Sequence, residues 1–193
     1  MTEQGSVRKF SEYNTGVLHN FEWSLRKERW ATRLPFWDGV YGPAFPDYVM
    51  VEIIEDQTRQ KLGLDKRFTN ARGRQLHVDE KLRWGDWRDV ALEFWSDVER
   101  QDPGWVCNRT LKNDHFVYAV AGLGVAYFWP RVELQAAWAI NGANWRDNFK
   151  TIEGVNVRHR SQCCCVSVDV LVATVPSMRT YRFEPFDDSE YPG

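Results

Sequence analysis

The sequence predicts an α/β (α+β) fold, a single domain in which helices flank a central mixed β-sheet. Two observations lead to this prediction. Segments with helical periodicity and short β-branched or aromatic runs follow in the order helix, helix, several strands, helix, strand, helix, strand. The 193 residues are 43% apolar and 27% charged, which is the composition of one ordinary globular domain.

The first part of the chain predicts an arm and two helices. Residues 1–20 are polar and unpatterned and form an expected N-terminal arm, so that the domain spans residues 21–193. A basic, tryptophan-containing helix is expected over residues 20–34, where Asn20 can act as its cap. The prolines and glycines of residues 34–46 predict a loop, and residues 48–62 predict a second helix that ends at Gly63.

The middle of the chain predicts strands. Residues 64–83 alternate in polarity around a glycine-containing turn near residues 71–73, which is typical of a β-hairpin. A third strand is expected over residues 89–97. Two aromatic, β-branched strands are expected on either side of residues 122–124.

The last part of the chain predicts alternating elements. A helix is expected from about Arg131 to Ile140, ending near Gly142, and is followed by a strand over residues 155–165. A short helix within residues 167–176 and a strand over residues 178–184 complete the order.

Charge and hydropathy narrow the classes of function. Lys and Arg number 25 and Asp and Glu number 27, so the net charge is −2 and any site for a polyanion has to be local. No apolar run reaches the roughly 20 residues that span a bilayer, and residues 1–13 lack the apolar core of a signal peptide. These features predict a cytoplasmic protein with no membrane partner.

The hairpin brings acidic residues together. Strand alternation places Asp79 and Lys81 on one face and Glu80 on the other. A three-residue turn puts Asp65 opposite Asp79, whereas a two-residue turn puts Asp65 opposite Glu80. In both cases two carboxylates meet, which is unfavourable unless a cation lies between them.

This pattern indicates metal-assisted hydrolysis of a phosphodiester. One or two carboxylates together with water and substrate phosphate are what Mg²⁺ requires, and Mn²⁺ uses the same oxygen ligands. Lys81 is expected to stabilise the charge of the transition state. Glu93, on the third strand, is expected to supply another ligand or to orient a water molecule.

The order of these residues resembles the PD-(D/E)XK nuclease superfamily. The resemblance rests on a helix, then Asp65 in a hairpin, the Asp79-x-Lys81 motif on its second strand, an acid on the third strand and Asp114 before the next strand. It covers about residues 47–183 and extends to small phage and bacterial proteins of that kind. It implies a restriction-endonuclease-like fold and Mg²⁺-dependent cleavage of DNA.

The resemblance also implies roles for individual residues. Asp65 and the motif acid Asp79 would bind the metal, and Lys81 would assist catalysis. Glu80 stands beside Asp79 and remains an alternative metal ligand, because the motif acid here is Asp. Two acids of the second predicted helix, Glu52 and Glu55, are weaker alternatives.

Basic residues in or near the hairpin predict where nucleic acid approaches. They are Arg67, Arg72, Arg74, Arg83 and Arg88. The favoured function is therefore a metal-dependent endonuclease or exonuclease acting on DNA. The alternative is an inactive protein of the same fold, either a phage inhibitor that binds a host protein or a nucleic-acid-binding module. A homodimer is expected if both strands of a duplex are cut.

Overall fold

A six-stranded mixed sheet forms the centre of the protein. The computed structural model describes residues 26, 27, 29–155 and 160–190, so the predicted arm over residues 1–20 lies outside the described residues. The strand order is β1-β2-β3-β6-β7-β10, and every neighbouring pair is antiparallel except β3 and β6, which are parallel. These strands are β1 (Tyr48–Ile53), β2 (Lys66–Asn70), β3 (Gln75–Arg83), β6 (His115–Val120), β7 (Val125–Pro130) and β10 (Arg179–Arg182).

A second, four-stranded antiparallel sheet is a departure from the single sheet that the sequence predicts. Its order is β5-β4-β9-β8. Its strands are β4 (Asp89–Asp97), β5 (Asp102–Pro103), β8 (Thr151–Val155) and β9 (Arg160–Ser167). The third predicted strand, β4, therefore pairs with β9 and not with the hairpin. The predicted strand over residues 155–165 is part of two strands, β8 and β9.

Helices and 3-10 turns complete the fold. The α-helices are α1 (Phe36–Ala44), α2 (Gln57–Gln60), α3 (Arg131–Asn148) and α4 (Val168–Thr174). The 3-10 helices are Ala121–Leu123 and Asp188–Glu190. The first predicted helix, expected to end at residue 34, ends three residues earlier, at Ala31. None of the helices in the described part of the chain combines the length and apolar character needed to cross a bilayer.

The prediction of a loop over residues 34–46 is wrong, because most of this segment forms helix α1. Trp37, Val40, Tyr41 and Ala44 are buried at helical spacing and form an apolar stripe against the six-stranded sheet. This burial outweighs the low helix propensity of Gly39 and Gly42.

The prediction of a helix over residues 48–62 is also wrong. Residues 48–53 form strand β1, which pairs with β2, and only the four residues of α2 are helical, with Asp56 accepting a hydrogen bond from the Arg59 backbone N–H. The β-branched run favours a strand once β2 offers a partner. The helix predicted to end near Gly142 continues to Asn148, with Gly142 buried against the Trp138 ring.

Two apolar cores lie on opposite sides of the six-stranded sheet. One is built by α1 with side chains such as Phe68, Val78 and Phe128. The other lies between this sheet, the second sheet and α3, and includes Leu92, Phe116 and Trp129. Because side chains of β3 alternate, this strand presents one set of polar residues to each side.

Candidate active site

The register of the hairpin brings Asp65 to Asp79. The paired residues of β2 and β3 include Lys66 with Val78 and Arg67 with His77, which is the register of a three-residue turn. The Asp65 backbone N–H donates to the Val78 carbonyl at 2.9 Å. The Glu80 backbone N–H donates to Asp65 Oδ2 at 2.7 Å. The arrangement with Asp65 opposite Asp79 is therefore the one that the chain adopts.

Asp79 and Lys81 form an ion pair on this face of β3. Lys81 Nζ donates to Asp79 Oδ1, and it also lies 3.4 Å from the Glu80 carbonyl oxygen. Asp79 is only 3% exposed, whereas the Lys81 side chain is 33% exposed. A substrate can therefore reach the lysine from solvent, while the aspartate is held beneath it.

Glu93 reaches the same place from the second sheet. Leu92 and Phe94 point into the core, so Glu93 points to the other face of β4. The charges of Asp79 and Asp65, and after them that of Glu93, raise the pKa of Lys81 against the effect of its burial. An added Cβ at Gly104 would lie 2.3 Å from the Glu93 carbonyl oxygen, so only glycine permits this approach of the next loop.

The four side chains form one electrostatic unit. Burial and the neighbouring Asp79 charge raise the pKa of Asp65 to about 8, although Lys81 opposes this shift. Burial also raises the pKa of Glu93, and again Lys81 opposes it. Burial by itself lowers the pKa of Lys81, but Asp79 and Asp65 more than reverse this and raise it. Three acids thus share one lysine, so ionising all of them would leave an excess of negative charge that a bound cation could balance.

Glu80 lies on the opposite face of β3, which does not favour it as a metal ligand. Glu80 Oε1 is 2.7 Å from Lys66 Nζ, and these two side chains are 7% and 5% exposed. Tyr41 also donates to Glu80 Oε1, and Thr32 Oγ1 donates to Oε2 at 2.5 Å. These contacts use both carboxylate oxygens of Glu80 within the core beneath α1.

Hard oxygen donors make the site suitable for a small divalent cation. No group of three His, Cys, Asp or Glu side chains within the described residues is placed to hold a metal by itself. Mg²⁺ needs only one or two carboxylates, with water and substrate completing its octahedral shell. Asp65 and Asp79 fit that requirement, and Glu93 interacts electrostatically with Asp79 and Lys81.

Sequence reasoning missed two neighbours of these residues. One is Lys66, the first residue of β2, which follows Asp65 directly and is buried on the opposite face. The other is Asn113, in the loop before β6, which is 1% exposed and has a side-chain oxygen without a hydrogen-bond partner. No local pattern marks Asn113, because only the packing of its loop against Gly63 brings it here.

The five predicted nucleic-acid-binding arginines fall into two groups. Arg67 pairs with Glu52, and Arg83 pairs with Asp89. The other three, Arg72, Arg74 and Arg88, are exposed. Of the weaker acidic alternatives, Glu52 is taken by Arg67, and Glu55 pairs with Arg33.

Comparisons with protein-family models, with curated proteins and with solved structures give no match to this chain.

Proposed function

We propose that this protein is a metal-dependent nuclease that hydrolyses phosphodiester bonds in DNA. The observation that carries the proposal is that Asp65, Asp79 and Lys81 lie together at the hairpin, where Lys81 is open to solvent and Glu93 of the second sheet interacts with it electrostatically. Acidic oxygens beside a lysine form a set that can serve both a divalent cation and a phosphate.

Each side chain has a role that its surroundings support. Asp65 and Asp79 would hold the Mg²⁺ or Mn²⁺ ion, which when bound neutralises phosphate charge and acidifies water. Asp79 holds the Lys81 ammonium group in place, so that the ammonium can stabilise the charge that develops on the phosphoryl oxygens. Glu93 has a raised pKa, which makes it a better proton acceptor near neutral pH.

The proposed reaction is an in-line hydrolysis. A water molecule attacks phosphorus and gives its proton to the Glu93 carboxylate, while the bond from phosphorus to the leaving sugar oxygen breaks. The leaving oxygen takes its proton from solvent. The exposed arginines Arg72, Arg74 and Arg88 would bind the phosphate backbone on either side of the scissile bond.

The test is cleavage of labelled DNA by the purified protein. Linear duplex, supercoiled circular and single-stranded DNA are incubated with Mg²⁺, with Mn²⁺ and with a chelator, beside the double variant Asp79→Ala, Lys81→Ala. We expect cleavage that requires metal and disappears in the variant. Conversion of circles to linear molecules without free nicked circles would further indicate a homodimer with two sites. Intact DNA in every reaction with folded protein would refute the proposal.

One feature favours a second candidate, an inactive protein that binds a host protein through β1. This strand lies at the edge of its sheet and exposes Val49, Met50 and Val51 by 74%, 51% and 54%. An unprotected apolar edge is typical of a surface that pairs with another chain. This candidate predicts no metal-dependent cleavage and a stable complex with a partner that is lost when Met50 is replaced by Lys.

A further inference from the structure

The side-chain amide of Asn113 is held in one orientation. Asn113 Nδ2 donates to the His115 carbonyl oxygen at 3.0 Å. Turning the amide over would place Oδ1 against that carbonyl, so that two acceptors would face each other. The hydrogen bond therefore fixes Oδ1 on the side away from His115.

The fixed Asn113 oxygen lies beside Asp79. A Cβ built on Gly63 would be 2.9 Å from Asn113 Oδ1 and 3.2 Å from Asp79 Oδ2, so both oxygens border the same space next to Gly63. Gly63 has φ +74°, a conformation that glycine adopts without strain, and its missing side chain leaves this space open.

This arrangement is unfavourable without a further group. Asn113 is 1% exposed, and its Oδ1 has no hydrogen-bond partner. A buried acceptor left unpaired destabilises a protein, because it has lost its hydrogen bonds to water without replacement. A neighbouring carboxylate oxygen cannot relieve it, because it is an acceptor too. A cation between the two oxygens would satisfy both.

Hydrogen bonds tie the loop that carries Asn113 to the segment before Gly63 and to α3. The Lys112 backbone N–H donates to the Leu62 carbonyl at 2.8 Å, and Arg131 Nε donates to the Asn113 carbonyl at 2.7 Å. Gln135, one turn further along α3, donates to the carbonyls of Trp105 and Asn108. These bonds fix the position of the Asn113 oxygen before any ligand arrives, which is what a metal ligand requires.

We propose that Asn113 Oδ1 is a ligand of the divalent cation bound at Asp79. The inference rests on the proposed function only in taking a divalent cation to bind at Asp79. Asp65, Asp79 and Asn113 together give the ion two carboxylate oxygens and one neutral amide oxygen. This set leaves coordination positions for water and for a substrate phosphate.

The test is Mn²⁺ affinity, measured by titration calorimetry on the full chain in the absence of nucleic acid. The variants are Asn113→Leu, which removes the oxygen at similar volume, and Asn141→Leu as a control on α3, where the amide donates to the Ala137 carbonyl of the same helix. We expect Asn113→Leu to weaken Mn²⁺ binding about 10-fold and Asn141→Leu to leave it unchanged. Unchanged Mn²⁺ affinity in folded Asn113→Leu protein would overturn the proposal.

A second measurement needs no variant and covers the case in which Asn113→Leu fails to fold. In the wild-type protein, saturating Mg²⁺ should shift the NMR signals of the Asn113 side-chain NH₂ group, while those of Asn148 stay in place. Absence of a shift at Asn113 overturns the proposal. Neither readout depends on cleavage, so a protein that binds Mn²⁺ through Asn113 but leaves DNA intact refutes only the nuclease function. If the wild-type protein cleaves DNA but the Asn113→Leu variant binds Mn²⁺ as tightly as the wild type, only the role of Asn113 is refuted.

Discussion

Lys66 and Glu80 form a buried ion pair, 2.7 Å from Nζ to Oε1, directly behind the candidate site. Each follows an acidic residue of the site by one position, so Asp65 and Asp79 point to the opposite face. The Lys66 ammonium also lies 4.9 Å from the Trp37 ring and 5.0 Å from the Tyr41 ring. The pair joins β2 to β3 and so holds the two acids of the other face side by side.

Replacing Lys66 by Met should strongly destabilise the protein. The change leaves the Glu80 carboxylate buried without its cation, and we expect the free energy of unfolding to fall by about 3 kcal/mol in urea titrations. The double variant Lys66→Met, Glu80→Leu should recover part of this loss, because it removes the buried charge as well. A single variant as stable as the wild type would show that the pair does not support the hairpin.

Replacing Lys81 should slow DNA cleavage, whereas replacing Asp79 should weaken metal binding. We expect Lys81→Gln to lower kcat for DNA cleavage by about 10²- to 10³-fold, with Mn²⁺ affinity preserved. Asp79→Asn should instead weaken Mn²⁺ binding, because it replaces a charged ligand. Rate measurements at saturating Mn²⁺ and calorimetric titrations separate the two effects. Equal loss of Mn²⁺ affinity in both variants would contradict the assignment of Lys81 to the transition state.

The metal-free protein should lose stability as the pH rises from about 4 to 8. The pKa of Asp65 is about 8 in the folded chain and about 3.9 when unfolded, so between these values the unfolded state has lost a proton that the folded state keeps. The free energy of unfolding is then constant below this window and falls across it, by roughly 1 kcal/mol or more for this partly exposed group. Urea titrations with a chelator measure it, and Asp65→Asn should reduce the slope. Parallel pH profiles for the two proteins would contradict this prediction.

Gly39→Ala should stabilise the protein. Gly39 is exposed in α1, and an added Cβ there meets no atom within 4 Å. Alanine loses less conformational freedom in a helix, so we expect a gain of about 0.5–1 kcal/mol in the free energy of unfolding. Thermal or urea unfolding measures it. A loss of stability would mean that residues 36–44 do not form a helix in solution.

The hairpin arginines should control DNA affinity. We expect Arg72→Ala, Arg74→Ala to weaken binding of duplex DNA in the presence of Ca²⁺ and to reduce the salt dependence of log Kd by about two. The double variant Arg100→Ala, Arg160→Ala removes the same charge from the second sheet, where each side chain lies beside an acid. Equal effects of the two double variants would indicate a response to net charge and not a contact surface.

The hairpin and the face that each of its residues occupies follow from local features of the sequence. Alternation along residues 64–83 and the glycine in its turn are local features, so the pairing of Asp65 with Asp79 was one of only two possible registers. The observed pairing of Lys66 with Val78 shows that the chain adopts the three-residue turn, with Gly73 at φ +77°. The face shared by Asp79 and Lys81 follows from the period of a strand alone.

Other features depend on partners that are distant in the sequence. Residues 48–53 are a strand because β2 offers hydrogen bonds, and residues 36–44 are a helix because the sheet covers their apolar stripe. The same is true of Glu80, which is enclosed with Lys66 by α1, and of Asn113, which α3 and the Gly63 turn bring to the site. Local periodicity fixes which face a side chain occupies, but only packing between elements fixes which residues meet there.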